Sequence, residues 1–398
     1  MIDKKILLYA TLIGAVILLL VAVAGTVAAQ GPTLEPKEEL GKSIFFDQNL
    51  SINQNQACAA CHAPESGWTG PDEEINVHGA VYEGSVPGRF GDRKPPSSAY
   101  ATQSPIFHRD KKGDFVGGNF WDGRATGEKL GNPAADQAQG PFLNPKEQAL
   151  ASSADVVERV CASGYADSFI QVWGESICDP ANVDSAWDAI ALSIAAYEAS
   201  PAVNAFTSKY DYSLKGMAKL SKEEREGFAL FQGKGQCKAC HISSGMQPLF
   251  TDYTYDNLGI PQNPENPAGV APDFVDPGLA GFLETRPEYA QYAQENLGKH
   301  KVPTLRNVDK RPDEGFVKAY GHNGYFKSLE EIVHFYNTRD VLPVCDTISD
   351  PNPSVNCWPA PEVSENINRD ELGDLGLTPD EEAAIVAFLK TLSDGYQP

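Results

Sequence analysis

Two pentapeptides constrain this chain more than any other feature: Cys58-Ala59-Ala60-Cys61-His62 and, far along the sequence, Cys237-Lys238-Ala239-Cys240-His241. C-x-x-C-H is the attachment signature of a c-type haem, in which two thiols add across the porphyrin vinyl groups and the adjacent imidazole becomes the proximal iron ligand. A zinc site would need four ligands in one compact cluster, whereas each pentapeptide places its histidine directly after the second cysteine. A thioredoxin-like pair would sit in a βαβ setting, and neither pentapeptide has one. Two covalently bound c-type haems are therefore expected, one on Cys58 and Cys61 with His62 as proximal ligand, the other on Cys237 and Cys240 with His241.

A chain of 398 residues, 41% of them hydrophobic, is long enough for two or three domains with real cores, and two haem sites suggest two. Met1-Ile2-Asp3-Lys4-Lys5 followed by an uncharged, mostly apolar run from Ile6 to Ala29 reads as an export segment. Residues 1–30 form either a signal peptide, with Val27-Ala28-Ala29 offering small residues for cleavage before Gln30, or a membrane anchor long enough to span a bilayer. Both place the folded part outside the cytoplasm, in the periplasm. Four cysteines remain after haem attachment, and an even remainder in an oxidising compartment suggests disulfides, most simply Cys161 to Cys178 and Cys345 to Cys357; buried free thiols are the alternative. The formal net charge of -22 argues against nucleic acid or an anionic membrane surface as partner, leaves the membrane a role only through the N-terminal segment, and permits a basic redox protein.

Along the chain, Lys37 to Phe46 reads as a helix with Leu40, Ile44 and Phe45 on one face. Ser221 with Glu224 forms a capping box ahead of the second haem site, with Phe228 and Phe231 on the apolar side. In each of the two helices leading to a haem motif a glycine sits one turn before a phenylalanine, Gly41 before Phe45 and Gly227 before Phe231, a faint internal repeat consistent with two cytochrome-like halves. Residues 64–97, dense in glycine and proline, form a long irregular stretch suited to wrapping a haem. Val183 to Ala199 reads as an amphipathic helix stopped by Pro201, and residues 259–277 read as a loop. Ser328 with Glu331 caps a helix to about Asn337, and Thr378, Pro379 and Glu381 open the last helix, with Ile385, Phe388, Leu389 and Leu392 facing inward. Strand patterns are sparse. The expected fold is mainly α, with two cytochrome c-like haem domains and long irregular loops: residues 31–205 for the first and 206–398 for the second, the last segment packing back on the first domain.

Phe45-Phe46-Asp47 with Leu50-Ser51, Phe120-Trp121-Asp122-Gly123-Arg124, Gly140-Pro141 with Asn144-Pro145, Val302-Pro303-Thr304-Leu305-Arg306-Asn307, and His322-x-Gly324 with Leu329-Glu330-Glu331 together resemble the bacterial dihaem cytochrome c peroxidase and MauG family. The match runs from about residue 37 to 392. The resemblance implies that the N-terminal haem reacts with peroxide and that the C-terminal haem stores or delivers electrons. It gives Gln137 and Glu147 as the distal-pocket amide and acid. Splitting a bound peroxide needs a proton moved from its inner to its outer oxygen, so an acid/base must overhang the reacting iron face. Trp121 matches the tryptophan that relays electrons between the haems, and Asp122 and Arg124 form an ion pair or a propionate contact. His78 matches the histidine that occupies the distal side of the first haem in resting peroxidases. Tyr336 stands at the second axial position of the C-terminal haem, where peroxidases of the family usually have methionine and MauG-like members have tyrosine; neither Met217 nor Met246 stands there. An anionic oxygen ligand favours higher oxidation states, whereas methionine raises the potential.

The family also holds a calcium ion between its domains, using an asparagine of an Arg-Asn-x-Pro segment and carbonyls of a Thr-x-Pro segment. Here those places read Arg93-Lys94-Pro95-Pro96 and Val317-Lys318-Ala319, so a lysine ammonium is expected in the cation's position and no calcium. Two functions follow from the resemblance, and a third comes from another class. The first is a peroxidase reducing hydrogen peroxide to water with electrons from a small cytochrome c or cupredoxin. The second is a MauG-like oxidase that uses peroxide to oxidise tryptophan or tyrosine of a protein substrate. The third is a non-catalytic dihaem electron carrier, against which stand Gln137 and Glu147. A homodimer is compatible with each.

Overall fold

The computed structural model describes residues 32–267 and 274–398, so the export segment and the middle of the 259–277 loop lie outside the described residues. Eleven helices among the described residues dominate: α1 Pro36–Phe45, α2 Glu73–Val77, α3 Pro133–Leu143, α4 Ser153–Cys161, α5 Ala166–Trp173, α6 Val183–Ala199, α7 Lys209–Leu214, α8 Lys222–Gln232, α9 Leu279–Leu283, α10 Leu329–Thr338 and α11 Pro379–Lys390. Sheet is slight. Strands β1 (His108–Arg109) and β2 (Phe115–Val116) pair antiparallel, as do β3 (Tyr255–Asp256) and β4 (His300–Lys301), with Tyr255 opposite Lys301 and Asp256 opposite His300. Residues 35–398 form a single compact unit.

Local chemistry sets the helix ends. Ser221, Ser328 and Thr378 each accept a hydrogen bond from the backbone N–H three residues on, and Glu224 and Glu381 return the bond to complete capping boxes. A proline in the first turn of α11 costs nothing there, because that N–H has no partner inside a helix.

The repeated glycines have a common cause in packing. A Cβ on Gly41 would lie 1.9 Å from the carbonyl oxygen of Ser193 in α6, and one on Gly227 would lie 1.8 Å from that of Ala384 in α11. Helices α1 and α8, which lead to the two motifs, therefore cross α6 and α11 backbone to backbone, and only glycine leaves room. The following phenylalanines are then buried at these crossings. Phe45 meets Trp68 and Tyr197 edge-on, with ring centroids 6.0 and 5.6 Å away, and Phe231 meets Phe250 and Phe388 at 6.0 and 5.3 Å.

Both disulfides expected from the cysteine count are present, Cys161–Cys178 beside α4 and Cys345–Cys357 in the segment after α10. Cys58, Cys61, Cys237 and Cys240 are free thiols. The C-terminal residues return to the first half: the Tyr100 hydroxyl donates to Asp394 at 2.7 Å, and the Asp394 carboxylate also accepts from the Thr207 N–H.

Candidate dihaem site

Each pentapeptide folds as one tight turn. Residues Cys58–Ala60 and Cys237–Ala239 are single 3-10 turns, after which the N–H groups of His62 and His241 bond back to the carbonyls of Cys58 (3.1 Å) and Cys237 (2.9 Å). The imidazoles are then aimed from a second point. His62 Nδ1 donates to the Trp68 carbonyl at 3.2 Å and His241 Nδ1 to the Phe250 carbonyl at 2.7 Å. A carbonyl can only accept, so it fixes the proton on Nδ1 and leaves the lone pair on Nε2, the form a metal ligand needs. Both carbonyls belong to aromatic residues in the left-handed region, Trp68 at φ +64° and Phe250 at +52°. Such backbone is costly for a bulky residue, and here it turns the carbonyl toward the histidine. Burial holds the His62 imidazole down to about 4 and lowers His241 also, so both rings are neutral.

All four free thiols and both histidines line one continuous cavity. Burial pushes the thiols of Cys58 and Cys237 up to about 12, so they sit as neutral thiols rather than thiolates. Apolar side chains wall the cavity at both motifs, Phe45 and Ile194 beside the first, Phe231, Val333 and Leu389 beside the second. The hydroxyl of Tyr336 faces the same space with no hydrogen-bond partner among the described residues. A largely apolar cleft with four thiols outside any disulfide, oriented neutral imidazoles and an unpartnered phenol fits two thioether-bound haems. Cys58, Cys61 and His62 would hold one, and Cys237, Cys240 and His241 the other.

Glu147, Gln137 and Trp121 are brought to this cavity. Gln137 lies on α3. That helix ends at Asn144, whose side-chain amide donates to Glu147 Oε2 at 2.6 Å. Burial raises the Glu147 carboxyl above the ordinary glutamate range, with Asp92 adding to the effect and Asn144 and Arg124 opposing it. Trp121 is buried, its indole N–H donating to the Lys94 carbonyl at 2.8 Å and its own carbonyl accepting from the Lys301 N–H at 2.8 Å. Asp122 takes guanidinium bonds from Arg93 (2.6 Å) and Arg124 (2.7 Å).

His78 is placed elsewhere. It ends α2 at the surface, with its ring between the carboxylates of Glu74 (3.3 Å) and Glu265 (3.2 Å), and it does not line the cavity. Both acids face solvent, and the backbone carbonyl of His78 is tied to the Lys327 ammonium at 2.6 Å, which holds this end of α2 at the surface. In this conformation His78 lies outside the cavity that His62 lines.

The lysine noted in the sequence is fully enclosed. Lys318 Nζ donates to the carbonyls of Ser66 (2.9 Å), Asn307 (3.0 Å) and Lys310 (2.9 Å), and Lys94 Nζ to Thr69 Oγ1 (2.9 Å) and the Pro95 carbonyl (3.0 Å). Burial, with the Lys94 cation nearby, pulls Lys318 well below the ordinary lysine range. Three carbonyl acceptors, one for each N–H, hold it as an ammonium.

Sequence reading missed a buried polar chain along the cavity. Arg93 grips Asp276 with two 2.6 Å bonds, His300 Nε2 lies 3.3 Å from Asp276, the His300 and His322 rings stack at 3.6 Å, and His322 Nε2 donates to Glu362 at 3.0 Å. Only Arg93 and His322 belonged to recognisable motifs. Asp276 and Glu362 come from separate loops and His300 from strand β4, and no spacing announces their meeting.

The family model for di-haem cytochrome c peroxidase matches residues 35–219. The chain is 35% identical over 390 residues to the methylamine utilization protein MauG of Paracoccus denitrificans, covering 96% of this chain and 94% of that protein. It is 28% identical to the cytochrome c551 peroxidase of Nitrosomonas europaea, covering 95% and 88%. The solved diheme peroxidase BthA of Burkholderia thailandensis superimposes with a TM-score of 0.74 at 27% identity, covering 92% of this chain and 88% of that one. The chain belongs to the di-haem cytochrome c peroxidase and MauG family of oxidoreductases, with the mainly helical fold of diheme peroxidases.

Proposed function

We propose that this chain is a periplasmic dihaem c-type peroxidase that reduces hydrogen peroxide to water with electrons from a small redox protein, a cytochrome c or a cupredoxin. The observation that carries this reading is the half-buried Glu147 side chain in the cavity that also takes the His62 motif; an electron carrier has no use for such an acid. Residues 31–205 and 206–398 are read as two cytochrome c-like haem domains, and the matching glycine crossings support the division. Bound haem would supply the iron at which peroxide is reduced. Glu147 accepts the proton of the inner peroxide oxygen and returns it to the outer one. The Gln137 amide orients the peroxide by hydrogen bonding, and Trp121 passes electrons between the two haem sites.

A second reading, a MauG-like oxidase acting on tryptophan or tyrosine of a partner protein, is favoured by one observation, the unpartnered Tyr336 hydroxyl facing the cavity. Rapid mixing of the fully oxidised protein with one equivalent of hydrogen peroxide tests both. With His78 outside the cavity, an immediate optical change is expected, followed by repeated turnover when a reduced small cytochrome or cupredoxin is supplied. Immediate reaction without turnover of either donor would move the assignment to the oxidase. Silence in both the oxidised and the one-electron-reduced protein would overturn both readings in favour of electron carriage.

We also infer that Lys318 fills the place of the family's calcium ion. Treatment of the holoprotein with a calcium chelator is expected to leave haem content and peroxide turnover unchanged. Calcium found by elemental analysis and removed by chelation with loss of activity would refute the assignment.

A further inference from the structure

Four acidic residues are buried among the described residues: Asp122, Glu198, Asp211 and Asp276. Three meet an arginine, Asp122 and Asp276 through Arg93 and Asp211 through Arg306. Glu198 meets none. It occupies the last turn of α6, is 3% exposed, lines the cavity with Cys58 and Ile194, and has no hydrogen-bond partner among the described residues. Its charge reaches the Cys58 thiol, the first attachment point of the N-terminal haem.

Among the described residues no cation bonds Glu198: on α1, Lys37 lies over the Trp173 ring at 4.5 Å and Lys42 is exposed. Along α6 itself the neighbouring titratable group is Tyr197, and α1 contributes Glu39, which faces Tyr197. The turn carrying the haem thiols contributes Cys58, and the loop after α3 contributes Glu147, whose charge reaches the same thiol. On α3, Asp136 is bonded to the backbone N–H groups of Lys129 and Leu130, and on α4, Arg159 is bonded to the carbonyls of Asn49 and Ser51. Burial alone pushes the Glu198 carboxyl up to about 8.

An unpaired carboxylate in such a wall is strongly disfavoured, so the group keeps its proton unless positive charge is brought beside it. The one positive charge that comes and goes here is that of the haem iron, which rises by one unit on oxidation. We propose that Glu198 is the redox-linked proton site of the N-terminal haem: its carboxylate takes one proton from solvent as that haem gains one electron from the donor protein, and the acid returns the proton as the electron leaves. Electron and proton then enter the cavity together and no net charge is buried. The inference rests on haem attachment at Cys58, Cys61 and His62 and is independent of the choice between peroxidase and oxidase. Failure of turnover leaves it standing, and failure of attachment is seen separately in the visible spectrum.

Because linkage is reciprocal, the potential of that haem must fall with rising pH while Glu198 titrates, by ~59 mV for each tenfold drop in proton concentration. Potentiometric titration of the holoprotein at a series of pH values, with the two ferric haems separated by electron paramagnetic resonance, is expected to give that slope in the wild type and none over the same window in Glu198→Gln. An equal slope in the variant, or no slope in the wild type, overturns the proposal. Should Glu198→Gln fail to take up haem, the reduced-minus-oxidised infrared difference spectrum decides. An acid carbonyl band is expected to appear on reduction, persist in Glu147→Gln and shift in Glu198→Asp; its absence, or its loss in Glu147→Gln, counts against Glu198.

Discussion

In a Glu147→Gln protein, reaction with hydrogen peroxide is expected to slow by about 10²–10⁴-fold, the usual contribution of a positioned acid/base, with both haems still attached. Glutamine keeps the size of the side chain and an oxygen that can accept the Asn144 bond, so the wall of the cavity is preserved and only the mobile proton is removed. The same group sets a pH dependence. Proton transfer from peroxide needs the carboxylate, and burial raises the Glu147 carboxyl above the ordinary value of 4.5. Below its shifted value Glu147 already holds a proton and the reaction falls away. The acid limb of the wild-type rate profile is therefore expected above the normal glutamate range, and it should be missing from the slow residual reaction of the variant. Stopped-flow rates across pH measure both. An unchanged rate would remove Glu147 from the chemistry.

The largest stability effect is expected at Asp211→Ala. Arg306 is fully buried, bonded through Nη1 and Nη2 to Asp211 at 2.6 and 2.8 Å and through Nε to the Pro248 carbonyl at 2.9 Å. Its guanidinium lies over the Phe206 ring at 4.7 Å. Removing the partner leaves that cation uncompensated, at a cost of about 3–5 kcal/mol. The damage should reach the second haem site, because Thr304, two residues before Arg306, bonds the Leu249 carbonyl beside the Phe250 carbonyl that holds His241. Arg306 lowers the Asp211 carboxyl. A lowered folded value means the pair contributes fully above the unfolded value of 3.8 and is lost as pH falls through the lower folded one. Denaturant unfolding of the holoprotein, followed by the haem absorption, should show the variant less stable at neutral pH, with the gap closing in strong acid. Equal stability at neutral pH would mean that the pair contributes nothing net.

The haem motifs were legible because covalent attachment requires thiols and imidazole in one short turn, a requirement written in consecutive residues. Helix ends were legible for the same reason: Ser221, Ser328 and Thr378 act within three residues of themselves. The glycine repeat at Gly41 and Gly227 was visible, but its cause was not, since the opposing carbonyls of Ser193 and Ala384 lie far off in sequence. Resemblance to the family supplied Glu147, Gln137, Trp121 and Tyr336 as cavity residues. It also supplied His78, which the fold holds at the surface between Glu74 and Glu265 with its carbonyl on Lys327, contacts that belong to no family pattern. Glu198 was hidden for the opposite reason. It ends an apolar helix where a glutamate reads as solvated, and nothing local reports that the helix terminus runs beneath a cavity wall.

The hydrogen bond from the Trp121 indole to the Lys94 carbonyl bears on how charge would cross this protein. An amide oxygen is far too weak a base to take the indole proton. An electron drawn from Trp121 would therefore leave a cation that keeps its hydrogen and reverts as soon as another electron arrives. Passage through that ring would need no partner base and no water, and its speed should be the same in heavy water as in light.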